Sequence, residues 1–339
     1  MEQKIKVCIF GPTGYTGGVL ISALIKHPFV KIASLVSSSH KGKTFGEVFA
    51  PFRNSSLAEF ILTDSPSESF DVAFLCTPHE VSLDLVPKLI ASGVRVIDLS
   101  GAYRLKDPSL YPEFYGFSHS FPDLLEMSVY GLSELFRREL KAAKLVANPG
   151  CYPTATLLAL APLLNLIDSE PIIVDALSGI SGAGRTPKQS FHFPEIYSNA
   201  FAYSVLWHRH RPEIELIAKS LSGREINLRF TPQVIPISRG MMVKVYLRLN
   251  LQNPFELFKD FYKNEPFVKV ISRPPEISEV IDTNICVIYP FFDEKTRITQ
   301  VIAVIDNLGK GASLQAVQNM NIMFNIEETT SLELPGRFI

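Results

Sequence analysis

With 339 residues the chain is long enough for two domains of ordinary size, and 46% hydrophobic with 20% charged residues is the composition of a soluble globular protein. A net charge of −1 gives no electrostatic reason to expect nucleic acid or an anionic membrane as partner. Four cysteines with no CxxC pair argue against a disulfide framework or a structural zinc site, so no metal is expected and a reducing cytoplasm is the expected location.

The opening MEQKIKVCIF lacks the apolar core of a secretory signal, and the run LLALAPLLNLI is too short to span a membrane. In chain order, residues 5–10 (IKVCIF) predict a short buried strand, followed by the glycine-rich GPTGYTGG and a helix over 19–27. Strands are predicted over 30–38, 70–78 and 94–100, with a helix over 81–93. Alternating strands and helices with nearly unbroken apolar strands indicate a parallel sheet covered on both faces, to about residue 147.

The texture then changes. Longer strand-like runs occupy 171–181, 227–237, 241–251, 284–292 and 296–306, the last two joined by the polar link DEKT as in a hairpin. Few helices separate them, which predicts an α+β domain with a largely antiparallel sheet. Residues 312–324 have helical spacing, with Ala312, Ala316, Met320 and Met323 on one side.

Gly11, Gly14 and Gly17 form a GxxGxxG spacing between the first strand and its helix. Glycines there let the backbone approach a pyrophosphate whose charge the helix N-terminus stabilises. The alternative is a plain glycine-rich turn. About 20 residues on, where an NAD site places a carboxylate for the ribose, this chain has SSSHKGK: Ser37, Ser38, Ser39, His40, Lys41 and Lys43. Hydroxyls and cations suit a 2′-phosphate, so NADP(H) is preferred; the alternative is a solvated basic surface.

Cys8, Cys76 and Cys286 lie in or at the end of apolar strands, where cysteine packs as a small hydrophobe. Cys76, Thr77 and Pro78 end the third strand and would line a cofactor cleft. Cys151 differs: NPG before it breaks regular structure, and PTATLLALAPLL after it starts a helix, with Pro153 tolerated in the first turn. A thiol at a helix N-terminus ionises more easily and becomes a nucleophile; a cysteine that merely lies near a turn is the alternative. Its acid–base partner would come from WHRHRPEIE, where His208 and His210 alternate with Arg209 and Arg211. His27, His40, His79, His119 and His192 stand singly.

The glycine motif, NPGCYPT, SGISGAGR, HRHRPEI and IDNLGKGASLQAVQNMN occur in an order that resembles the N-acetyl-gamma-glutamyl-phosphate reductase family, NADPH-dependent enzymes of arginine biosynthesis related to aspartate-semialdehyde dehydrogenase. The resemblance covers residues 11 to about 321. It implies an α/β Rossmann-type dinucleotide-binding domain over 1–147 and about 312–339. A semialdehyde dehydrogenase-like catalytic and oligomerisation domain over 148–311 would follow, with a largely antiparallel mixed sheet. It implies Cys151 as nucleophile, His208 and His210 as the source of the acid–base group, and a small acyl phosphate with inorganic phosphate as reactants. Thr13, Tyr15 and Thr16 would join the glycines at the NADP(H) site, with Ser178 and Gly182 of SGISGAGR and Asn307 of IDNL near the nicotinamide. Arg104 of DLSGAYRL would bind substrate, although Gly101, Ala102 and Tyr103 depart from the family's usual DLSADFRL. Arg209, Arg211 and Arg239 (in SRGM, where the family usually has NRG) are further candidates for the anionic groups. A homodimer or homotetramer is the family expectation.

A sister group performs the same chemistry on carrier-bound aminoadipyl phosphate for lysine synthesis. Its members tend to lack the prolines and tyrosine framing the cysteine and the PEI after the histidines, both present here. A dinucleotide-sensing regulator without turnover is a rival from another class, and leaves the pairing of cysteine with histidines unexplained.

Overall fold

The computed structural model describes residues 4–167 and 171–337; the first three and last two residues of the expected nucleotide domain lie outside that range. The chain divides into two compact units. One holds the residues up to Tyr111, Phe117–Pro149 and Ala312–Leu332; the other holds Pro112–Gly116, Gly150–Gly311 and the residues from Glu333 on.

The first unit contains β1 (Ile5–Phe10), β2 (Val30–Val36), β3 (Val72–Leu75), β4 (Arg95–Asp98), β5 (Val129–Tyr130) and β6 (Leu145–Ala147). They form one sheet in the order β2-β1-β3-β4-β6-β5, every pairing parallel. Val72 to Leu75 are all fully buried, as expected of strands covered on both faces. Helices α1 (Tyr15–Leu24), α2 (His79–Ala91) and α3 (Ser133–Leu140) accompany the sheet. Helix α1 starts four residues before the predicted position, because Gly14 is its extended N-cap and the later glycines lie within its first turn.

In the second unit, α4 (Cys151–Leu160) precedes β7 (Ile172–Ser178) and β8 (Phe201–Ala202). Helix α5 (His210–Ser222), β9 (Leu228–Val234), β10 (Met241–Leu247) and α6 (Pro254–Phe261) follow, then β11 (Val268–Val270), β12 (Cys286–Asp293) and β13 (Ile298–Ile305). The sheet order is β11-β12-β13-β10-β7-β9-β8, mixed, with antiparallel pairs predominating. The predicted hairpin is the β12–β13 pair, closing at Asp293 opposite Ile298. Here burial alternates along β7, β9 and β10, so one sheet face carries the core. Helix α4 is buried from Tyr152 to Leu160.

The chain returns to the first unit with α7 (Leu314–Met323). The tail from Glu333 does not stay there, unlike the expected 312–339 segment. Its Arg337 donates through the backbone to Ile281 O (3.1 Å) and through Nε to Asp282 (2.8 Å), both in the second unit.

Candidate active site

In the first unit the turn after β1 is built for close backbone approach. Gly11 has φ +76°, and a Cβ there would stand 2.3 Å from Cys76 O; one on Gly17 would stand 2.5 Å from Gly11 O. The first turn of α1 carries no acidic residue, so its free amides face no competing charge. This cradle fits a pyrophosphate. Thr16 hydrogen-bonds the Cys76 thiol, which burial pushes up to about 12, and Thr77 bonds Ser82 (2.8 Å). Pro78 caps α2.

The loop after β2 holds the residues expected to meet a 2′-phosphate. Ser37 is buried and bonds His40 Nδ1 (3.2 Å), Ser38 is exposed, and Lys41 pairs with Asp64 (2.6 Å). Lys43 is exposed and makes no ion pair among the described residues. At the end of β4, burial pushes the Asp98 carboxyl up although Ser100 donates to it through N (2.9 Å) and Oγ (2.8 Å). Arg104 is buried in this unit, with Nε on Asn148 O (2.7 Å) and Nη2 on Leu99 O (2.8 Å).

The second unit holds a cavity of about 380 Å³ lined by Cys151, His208, Arg209 and His210 among others. Cys151 is the first residue of α4, behind the extended N-cap Gly150. The fully buried Glu213 of α5 accepts the Gly150 N–H at Oε1 (2.9 Å), which ties the starts of the two helices together. Helix α5 begins at His210, three residues earlier than EIELIAKSL suggests, because Pro212 is harmless in a first turn.

His208 packs edge-on against Tyr152, Tyr203, Phe230 and His210, with ring centroids 4.7–5.6 Å apart. Burial, helped by the Arg209 charge, pushes its pKa down to about 3. Its Nδ1 accepts the His210 backbone N–H (3.1 Å), so in the neutral ring the proton sits on Nε2. Tyr203 donates to Tyr152 Oη (3.4 Å), which donates to Gln233 O (3.2 Å). Burial pushes Tyr203 up to about 12 and Tyr152 higher still, with the Cys151 sulfur adding to both.

Ser178 and Gly182 line the same cavity. Asn307 fixes their loop: Oδ1 accepts Gly240 N (2.7 Å) and Nδ2 donates to Ser181 Oγ (3.0 Å). Of the arginines in this unit proposed to hold substrate, Arg209 lines the cavity and Arg211 and Arg239 do not. Arg211 is spent on Glu215 (3.0 Å) and Leu206 O, and Arg239 on Asp306 and Asp282. Lys188, Tyr203 and Phe114 also line it and have no local sequence signal, and Trp207 lines it beside His208; only the fold brings these loops to Cys151. Among the described residues, no cluster of three or more His, Cys, Asp or Glu is arranged for a metal ion, and no helix is long and apolar enough to cross a membrane.

The parallel nucleotide unit and the cysteine–histidine cavity define a semialdehyde dehydrogenase-type oxidoreductase. Models of that group's NAD binding domain and dimerisation domain match residues 6–143 and 151–307. Aspartate semialdehyde dehydrogenase II of Vibrio cholerae shares the fold at TM-score 0.73 and 18% identity, over 96% of this chain and 99% of that one. N-acetyl-gamma-glutamyl-phosphate reductases are much nearer in sequence. That of Aquifex aeolicus is 53% identical over 99% of both chains, and that of Dehalococcoides mccartyi is 44% identical over 98% of both. The chain belongs to the N-acetyl-gamma-glutamyl-phosphate reductase family.

Proposed function

We propose that the chain reduces N-acetyl-L-glutamyl 5-phosphate to N-acetyl-L-glutamate 5-semialdehyde and inorganic phosphate, reversibly and with NADPH, as a step of arginine biosynthesis. The observation that carries this reading is Cys151 at the head of α4, lining one cavity with two histidines, in a chain 53% identical to a reductase of that name.

Attack of the Cys151 thiolate on the acyl carbon forms a C–S bond, and loss of phosphate leaves a thioester. NADPH, when bound, supplies the hydride that reduces the thioester carbonyl. The resulting oxyanion takes a proton; the thiohemiacetal then gives that proton back as its C–S bond breaks, releasing the aldehyde and regenerating the thiolate. The Nε2–H of neutral His208 is suited to polarise the carbonyl oxygen, which leaves proton transfer to His210. Arg209 and Lys188, the arginine and lysine of the lining, match the substrate's two anionic groups. The dimerisation-domain match supports a homodimer or homotetramer, which light scattering would measure.

The test runs the reaction backwards: NADPH formation from the semialdehyde, NADP and phosphate. Turnover should require phosphate and disappear in Cys151→Ser. Phosphate-independent oxidation would mark an ordinary aldehyde dehydrogenase, and activity on a carrier-linked substrate alone would move the chain to the lysine branch.

A further inference from the structure

Asp306 follows β13 and is fully buried. Its Oδ1 accepts from Arg239 Nε (2.8 Å) and Leu308 N (3.0 Å), and its Oδ2 from Asp282 N (2.7 Å). Its carbonyl oxygen accepts from Gly309 N (3.1 Å) and Gly311 N (2.9 Å). These bonds fix the turn from Asp306 to Gly311, and that turn lies against the nucleophile. A Cβ on Gly311 would come within 2.8 Å of Cys151 Cβ and 3.2 Å of its Cα. Arg239 is the counter-ion that a buried carboxylate requires, and Asp282 links it outward to Arg337 in the chain's tail.

We propose that Asp306, with Arg239 as its counter-ion, is the positioning residue of Cys151: the pair holds the 306–311 turn as a wall behind the nucleophile, and Gly311 is the face of that wall. The proposal rests on Cys151 being the nucleophile. It gives Arg239 a role other than substrate binding. Asp306 touches neither the cavity nor the sulfur, so it acts only through where it puts Gly311. With Cα and Cβ backed this closely, Cys151 has little room to retreat from the cavity it lines. A side chain at 311 would push the nucleophile forward, and a loosened turn would let it drift.

The test uses full-length Asp306→Asn, Arg239→Met, the double variant and Gly311→Ala, the last leaving the ion pair untouched. A displacement of about 1 Å costs about 100-fold in rate, so kcat should fall by about that factor while KM and NADP affinity stay at wild-type values. Arg239→Met and the double variant should lose no more than Asp306→Asn, because the residues act as one unit. A rise in KM in Arg239→Met with kcat unchanged would return Arg239 to substrate binding and overturn the proposal. A readout independent of the reaction is alkylation of Cys151 by iodoacetamide, followed by mass spectrometry on its own peptide. It should slow about ten-fold in Asp306→Asn, where the loosened turn lets the thiol drift back from the cavity. Alkylation at or above the wild-type rate, with only the melting temperature lowered, overturns the proposal. Should wild type show no phosphate-dependent turnover, the assigned reaction fails while alkylation still decides the positioning claim.

Discussion

His208 is the cavity group whose chemistry is most tightly set. Its pKa of about 3 keeps it neutral at any working pH, and its Nδ1 is occupied by the His210 N–H, so only Nε2–H remains to meet an oxyanion. Asparagine at 208 can keep an acceptor near the Nδ1 position and lose the Nε2 donor; glutamine does the reverse. Expected is a kcat loss of about 100-fold in His208→Asn with the 208–210 turn intact, and a smaller loss in His208→Gln. Equal losses would separate turnover from the Nε2 proton. The same residue sets an acid-stability term of known sign. Its folded pKa lies below the ordinary 6.5, so as pH falls from about 6.5 toward 3 the unfolded chain binds the proton first and stability is lost. Urea midpoints should therefore fall less between pH 7 and pH 4.5 in His208→Gln than in wild type; parallel curves would refute the shifted ring.

Among the elements, α4 and α7 show what was legible in the sequence and what was not. Cys151 could be placed at a helix start because NPG and Pro153 are local signals. The spacing of α7 was equally legible, but its polar residues were not. Gln315, Gln318, Asn319 and Asn321 look like a solvent face, yet all ten residues of the helix are buried. Their partners lie far away in the chain: Asn319 Nδ2 donates to Gly131 O (2.7 Å) and Asn148 Oδ1 (3.0 Å), and its Oδ1 accepts from Ser133 Oγ (2.7 Å). Asn321 Oδ1 meets His27 Nε2 at 2.9 Å. No periodicity rule can see partners that only the tertiary fold supplies. Arg239 escaped for the same reason, its guanidinium group being committed to Asp306 and Asp282 far along the chain, whereas Arg211 pairs with Glu215 one turn further along α5. Replacing Asn319 by leucine would orphan three buried polar groups at about 1–3 kcal/mol each, so unfolding in urea should show a loss of about 3 kcal/mol or more. A loss under about 0.5 kcal/mol would mean the network contributes nothing net.

At the scale of the whole molecule, the chain divides its work between two sheets of different build. The first unit's sheet is all parallel and puts glycine-rich and hydroxyl-rich loops after β1 and β2; the second's is mixed, and its unit carries the cysteine and the histidines. The change was readable near residue 147 because strands buried on two faces are uniformly apolar, while strands buried on one face alternate. Cofactor choice is proposed to be read in the first unit. The α1 N-terminus and Gly11 turn offer a pyrophosphate site that NAD and NADP share, whereas Ser38 and Lys43, an exposed hydroxyl and an exposed cation, are proposed to favour the 2′-phosphate. Hydrogen exchange separates the two loops. NADP should slow exchange in peptides covering both 11–18 and 37–43, and NAD in the first alone. Ser38→Asp should abolish the second protection and narrow the affinity gap, since a carboxylate repels the phosphate and accepts from a ribose hydroxyl. Equal protection of 37–43 by both dinucleotides would remove that loop as the reader of the phosphate, and leave the 11–18 cradle as a site indifferent to which one it holds.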